Sequence, residues 1–176
     1  MSNQNADLRS NPFRVLGAST RDNRHRILAL AEEQSLISDP DTCSKARAEI
    51  TNARTRLAAE CGWLPGVSPN RAKEVLGKMN SFRFAIFNEE GLPTLAHANL
   101  IAASLNEAPG PLDADSALRF ILTLAKLADE LDVDEILRDI NEDRVIAGFP
   151  EVSQRDLVEA EVADRIRFYR TALSGS

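Results

Sequence analysis

Apolar residues recur at intervals of three and four along most of this chain, and Gly, Pro, Asn and Asp punctuate them often enough to predict a run of amphipathic helices. The polar stretch Met1–Ser10 reads as a flexible lead-in, with order beginning near Asn11. Asn11-Pro12 has the form of an N-cap followed by proline at the first helical position, and Gly17 ends the short helix carrying Phe13 and Leu16. Ser19 or Thr20 caps the next helix, with Asp22 in its first turn and Ile27, Leu30, Ala31, Gln34 and Ile37 as its stripe. Ser38-Asp39-Pro40-Asp41 breaks that pattern, and a third helix with Ala46, Ile50, Ala53 and Leu57 on one face closes a helical hairpin.

Gly62, Pro65, Gly66 and Pro69 make 62–69 the best candidate domain boundary, with Trp63 and Leu64 packing there. Ser68-Pro69 opens a helix in which Ala72, Val75, Met79, Phe82 and Ile86 keep helical spacing as far as Asn88 or Gly91, although Phe82-Arg83-Phe84 also permits a short strand. Pro93 starts another helix, closed after Leu105 by Pro109-Gly110-Pro111. Asp113 or Asp115 then introduces the most apolar segment, Leu118 to Leu131, expected to be the central helix of a second unit. Asp132 followed by Glu135 has the form of a capping box for a short helix with Ile136, Leu137 and Ile140. The last helix begins at Ser153 and turns Val158, Val162, Ile166, Tyr169 and Leu173 inward. The expected fold class is all-α: a lead-in at 1–10, a helical unit at 11–63 and a C-terminal helical bundle at 64–176.

Composition narrows the function. The 176 residues are 43% hydrophobic and 27% charged, which supports a packed core, and the net charge of −6 makes nucleic acid a poor default partner. Two local basic sets, Lys45, Arg47, Arg54 and Arg56, and Arg155, Arg165, Arg167 and Arg170, either touch RNA or DNA or form solvated helix faces, the latter with Glu161 paired to Arg165. Cys43, Cys61, His25 and His97 lack metal-ligand spacing, so no metal, cofactor or disulfide is expected. The acidic run from Asp129 to Asp143 fits a solvated helix rim better than a calcium loop, which would need oxygen ligands at alternating positions and a Gly at the bend, whereas Val133, Ile136 and Leu137 read as core residues of helices. No nucleophile elbow, phosphate loop or zincin helix is present, so no enzyme activity is expected. With no apolar signal region and no run of membrane-spanning length, a cytoplasmic location away from membranes is expected.

Residues 11–63 carry a more specific pattern. Phe13-Arg14-Val15-Leu16-Gly17 leads into a helix whose first aliphatic is Ile27, Asp39-Pro40-Asp41 follows without a gap, and Glu49 to Leu57 spaces Ile50, Ala53 and Leu57 by three and then four. In register, this resembles the J-domain of the DnaJ family, with Asp39-Pro40-Asp41 at the position of the family's His-Pro-Asp loop. An ordinary helical bundle would accommodate the same stripe. The resemblance implies a protein-binding surface comprising Arg21, Arg24 and Arg26 at the start of the second helix and Asp39, Pro40 and Asp41 after it, directed in the family at a DnaK-type chaperone whose ATPase it stimulates.

Three departures bear on that implication. Asp39 replaces the family's histidine, Glu32 and Glu33 stand where the family's second helix is basic, and the loop from Asp41 to the third helix is short. Acidic groups facing an acidic docking surface slow encounter and add repulsion. The expected function is therefore a non-catalytic J-like adaptor or scaffold within a multi-protein assembly. A co-chaperone of a DnaK-type ATPase and a helical nucleic-acid-binding protein are the alternatives. A J-domain followed by a small helical bundle also echoes, in architecture alone, the co-chaperone of iron–sulfur cluster assembly.

Overall fold

The computed structural model describes residues 7–106 and 111–174, and the Pro109-Gly110 part of the predicted break lies outside them, as do residues 1–6. The described residues form nine α-helices and one 3₁₀ segment, with no strand: α1 Pro12–Leu16, α2 Arg24–Ser35, α3 Pro40–Thr51, α4 Arg56–Cys61, α5 Pro69–Ser81, the 3₁₀ segment Arg83–Asn88, α6 Thr94–Asn106, α7 Ala114–Asp129, α8 Val133–Ala147 and α9 Arg155–Ser174. The protein is all-α.

Side-chain caps set the helix starts. Asn11, Asn23, Asp39, Ser68, Asp113 and Asp132 each accept a backbone N–H from the first turn, and Pro12, Pro40 and Pro69 occupy positions where the missing N–H costs nothing. The second helix is capped by Asn23, and not by Ser19 or Thr20 as its sequence suggests. Ser19 instead builds a turn in which its N–H donates to the Asp22 carboxylate and its hydroxyl accepts the Arg21 N–H.

The third helix differs most from expectation. It stops at Thr51, Asn52 is extended, and the chain re-enters a helix only at Arg56. The orphan carbonyls at the end of α3 find side-chain donors in place of a fourth turn: the Thr55 hydroxyl donates to Glu49 O, the Arg56 guanidinium to Ile50 O, and Arg24 to Thr51 O. The predicted stripe of Ile50, Ala53 and Leu57 is therefore divided. Ile50 lies in the main core and Leu57 in a smaller cluster with Cys61, Leu95, Ile136, Ile140 and Val158.

The main core runs from Leu8 through Phe13, Ile27, Ile50, Trp63, Ile101 and Phe120 to Tyr169. Leu8 is already buried in it, so the packed chain begins before Asn11. The stretch 62–69 is not a linker: residues 62–65 and Val67 are buried, and the same core continues across them. The units drawn at 11–63 and 64–176 share that core.

The buried centre is α6, not α7. From Leu95 to Leu105 only the half-buried His97 departs from full burial on α6, whereas on α7 only Phe120, Leu124 and Leu127 are buried and Leu118, Ile121 and Leu122 face outward. Four alanines on α6 let neighbouring helices approach closely, and its segment carries no Asp, Glu, Lys or Arg. The helix predicted through Phe82 to Asn88 ends at Ser81, whose hydroxyl bonds back to Gly77 O, and the 3₁₀ segment then packs Phe84 and Phe87 against Phe120. That segment is neither a strand nor a continuation of α5.

Ile50, on α3, is fully buried in the main core. Ile50→Ala should lower unfolding stability by about 2–5 kcal/mol, the cost of a large-to-small change in a packed core. A urea denaturation midpoint unchanged from wild type would place Ile50 outside the core.

Candidate functional site

The six residues expected to contact a partner fall into two groups at opposite ends of α2, separated by the helix length of about 18 Å. At the first end the arginines are largely committed within the fold. Arg21 Nε lies 2.9 Å from Asp143 Oδ1, the same buried carboxylate that accepts the Thr20 hydroxyl and the Gly66 N–H. Gly66 holds φ at +78°, and a Cβ there would lie 3.0 Å from Asp139 Cγ, so the turn needs glycine to bring its N–H to Asp143. Arg24 caps α3 and lies over the Phe149 ring. Arg26 remains on the surface, 3.6 Å from Glu33.

At the other end Asp39, Pro40 and Asp41 are exposed, but they start a helix instead of forming a loop. Asp39 Oδ2 accepts the Thr42 N–H at 2.8 Å and the Thr42 hydroxyl at 2.6 Å. These two bonds, the hydroxyl first, hold the Asp39 carboxyl below its ordinary range. The position matched to the family's histidine is thus a charged helix cap.

Beside it stand two residues that sequence periodicity did not single out as surface features. Leu36 is 86% exposed and Ile37 is 80% exposed, whereas Ile27, Leu30 and Ala31 on the same helix are buried. Ile37 was expected on the inward stripe; α2 ends at Ser35, and the following turn swings it out. The tip of the hairpin therefore presents two adjacent aliphatic side chains flanked by the exposed carboxylates of Glu32, Glu33, Asp39 and Asp41.

The basic faces proposed for nucleic acid are reduced by the fold. Arg56 is 0% exposed, between the Phe149 and Phe13 rings, and its Nε donates to Glu60 at 2.6 Å. Glu60 also accepts Arg144. Arg165 is buried too and donates to Asn99, while burial pushes its helix neighbour Glu161 upward against the opposing charge of Arg165. His25 is exposed, and His97 Nε2 lies 2.7 Å from Ile86 O, tying α6 to the 3₁₀ segment.

Cys43 and Cys61 are buried and unbridged, and burial raises the Cys61 thiol well above its ordinary value. Among the described residues no His, Cys, Asp and Glu group is arranged to hold a metal ion, and no helix is long and apolar enough to cross a membrane. The chain matches no family model, no curated protein and no solved structure.

Proposed function

We propose that this chain is a non-catalytic, J-like adaptor whose partner contact is the tip of the α2–α3 hairpin. The observation that carries this reading is the exposure of the adjacent Leu36 and Ile37 in a hairpin whose other large aliphatics are mostly buried. An exposed aliphatic pair with Glu32, Glu33, Asp39 and Asp41 close by in the chain suits a protein groove with an apolar floor and basic groups at its rim, since apolar burial supplies affinity and opposite charge sets orientation. The co-chaperone alternative draws on the same hairpin. Against it stand the acidic character of the tip, where Asp39 serves as a helix cap, and, at the far end of α2, the use of Arg21 and Arg24 in bonds within the fold.

Leu36→Asp combined with Ile37→Asp should abolish recovery of the native partner by affinity capture while leaving the melting curve within about 0.5 kcal/mol of wild type, as exposed substitutions do. The wild-type protein should give no stimulation of a DnaK-type ATPase in single turnover. A variant that recovers the same partner at wild-type yield would exclude the tip, and ATPase stimulation would favour the co-chaperone.

A further inference from the structure

A cavity of about 420 Å³ lies where the end of α5 and the 3₁₀ segment meet the last turn of α6, and no residue of α2 or α3 lines it. Met79, Phe82 and Phe84 supply apolar walls, while Arg83 and Ser104 bring polar groups to it. Ser104 is 1% exposed, and its hydroxyl has no hydrogen-bond partner. Arg83 Nη1 is likewise buried without one, and Arg83 forms no ion pair among the described residues. The guanidinium lies 5.2 Å from the centre of the Phe84 ring, which offers a π face but no lone pair. Arg9, also on the wall, has a partner within the protein and supplies no spare charge. Among the described residues no Asp or Glu lines the cavity. Buried donors are ordinarily bonded, because an unmade bond forfeits the donor's solvation. Two orphans at one cavity therefore point to an acceptor from outside the chain.

We infer that this cavity binds a compact aromatic monocarboxylate. Its carboxylate accepts from the Arg83 guanidinium and the Ser104 hydroxyl, giving both orphaned donors charge-assisted hydrogen bonds. One guanidinium balances one negative charge. A dianion such as inorganic phosphate would bring a second charge among Met79, Phe82 and Phe84 with nothing to pair it. A flat aromatic body suits these walls, since rings pack offset or edge-on against phenyl groups and thioether sulfur contacts ring edges. The volume falls within the roughly 300–1,000 Å³ typical of ligand pockets, toward its compact end. Neither donor reaches solvent in the free protein, so entry turns aside the Phe82 side chain, which is 60% exposed. Donors that hold no water lose none on binding.

Isothermal titration calorimetry of the full chain with 2-naphthoate should show a single saturable site, at least about tenfold tighter than for the neutral 2-naphthamide. Inorganic phosphate should give no saturable heat. Arg83→Met keeps the side-chain length but removes the guanidinium, and should weaken 2-naphthoate by about tenfold or more. Ser104→Ala should weaken it by about threefold or more, yet leave the urea midpoint unchanged or raised, because the hydroxyl it removes has no partner in the free protein. Should Arg83→Met fail to fold, Ser104→Ala and the comparison of acid with amide decide. Absence of saturable heat from 2-naphthoate, equal affinity for acid and amide, or saturable phosphate binding would each overturn the proposal. So would undiminished binding by either variant, or a lowered urea midpoint for Ser104→Ala.

Discussion

Glu60→Ala should destabilise the protein by about 3–5 kcal/mol, because it strips the shared carboxylate from two buried guanidinium groups. Glu60 bonds Arg56 Nε at 2.6 Å and Arg144 Nη2 at 2.8 Å, and both arginines are buried. Their remaining donors reach backbone carbonyls: Arg56 to Ile50 and Thr20, Arg144 to Pro150 and Ala53. The network thus fastens α4 to the end of α3, to the turn before α2 and to α8 with the segment that follows it. Burial already lowers the Arg56 pKa, opposed by Glu60, so the guanidinium depends on this partner for its charge to be tolerated. Equilibrium urea unfolding provides the measurement. A loss under about 1 kcal/mol would mean the two arginines reach water when Glu60 is gone.

Asn99→Leu should produce a loss of similar size, about 3–5 kcal/mol, through a different set of bonds. Its Oδ1 accepts Arg165 Nη2 at 2.6 Å and the Tyr169 hydroxyl at 2.6 Å, while its Nδ2 donates to Cys61 O at 2.9 Å and Trp63 O at 2.7 Å. The opposite amide orientation would set donors against donors and carbonyl against carbonyl. Leucine keeps roughly the volume but removes the acceptor shared by Arg165 and Tyr169 and the donor to two buried carbonyls. Tyr169→Phe removes one of these bonds only and should cost about 1 kcal/mol. Equal losses for the two variants, read from the same unfolding curves, would contradict this placement of Asn99 at the junction of α6, α9 and the 61–63 segment.

The helical class and most caps were legible because they depend on local chemistry: Asn11-Pro12, Asp39-Pro40, Ser68-Pro69 and Asp132 each cap a helix where the sequence places a cap or a break. The break at Asn52 was not, since Ile50, Ala53 and Leu57 keep an unbroken helical period and the competing donors, Thr55 and Arg56, act only once the chain folds back. The rank of α6 over α7 was obscured by size. Long aliphatics on α7 outweigh the alanines of α6 in any sum of hydrophobicity, yet the freedom of α6 from charge was the better signal of a helix surrounded on all sides.

The candidate site was read in part. Asp39, Pro40 and Asp41 are exposed, as a contact surface requires, but Arg21 and Arg24 bond within the fold, because their partners Asp143 and Thr51 come from other helices. Arg56 and Glu60 look like solvent residues by type. The hint available was that they are the only polar side chains between Arg56 and Cys61 apart from the terminal thiol, spaced by one helical turn. Leu36 and Ile37 were obscured by the assumption that an apolar period continues to the end of a helix.

The most direct measurement is site-specific photocrosslinking in the native cell, with a photoreactive residue at Ile37 on the hairpin tip and, as the comparison, at Leu122 on the outward face of α7. The adaptor account predicts one discrete adduct from position 37, lost when Glu32, Glu33 and Asp41 are reversed to lysine, and no matching adduct from position 122. A discrete adduct from position 122 with none from position 37 would place the contact on α7 and contradict the account.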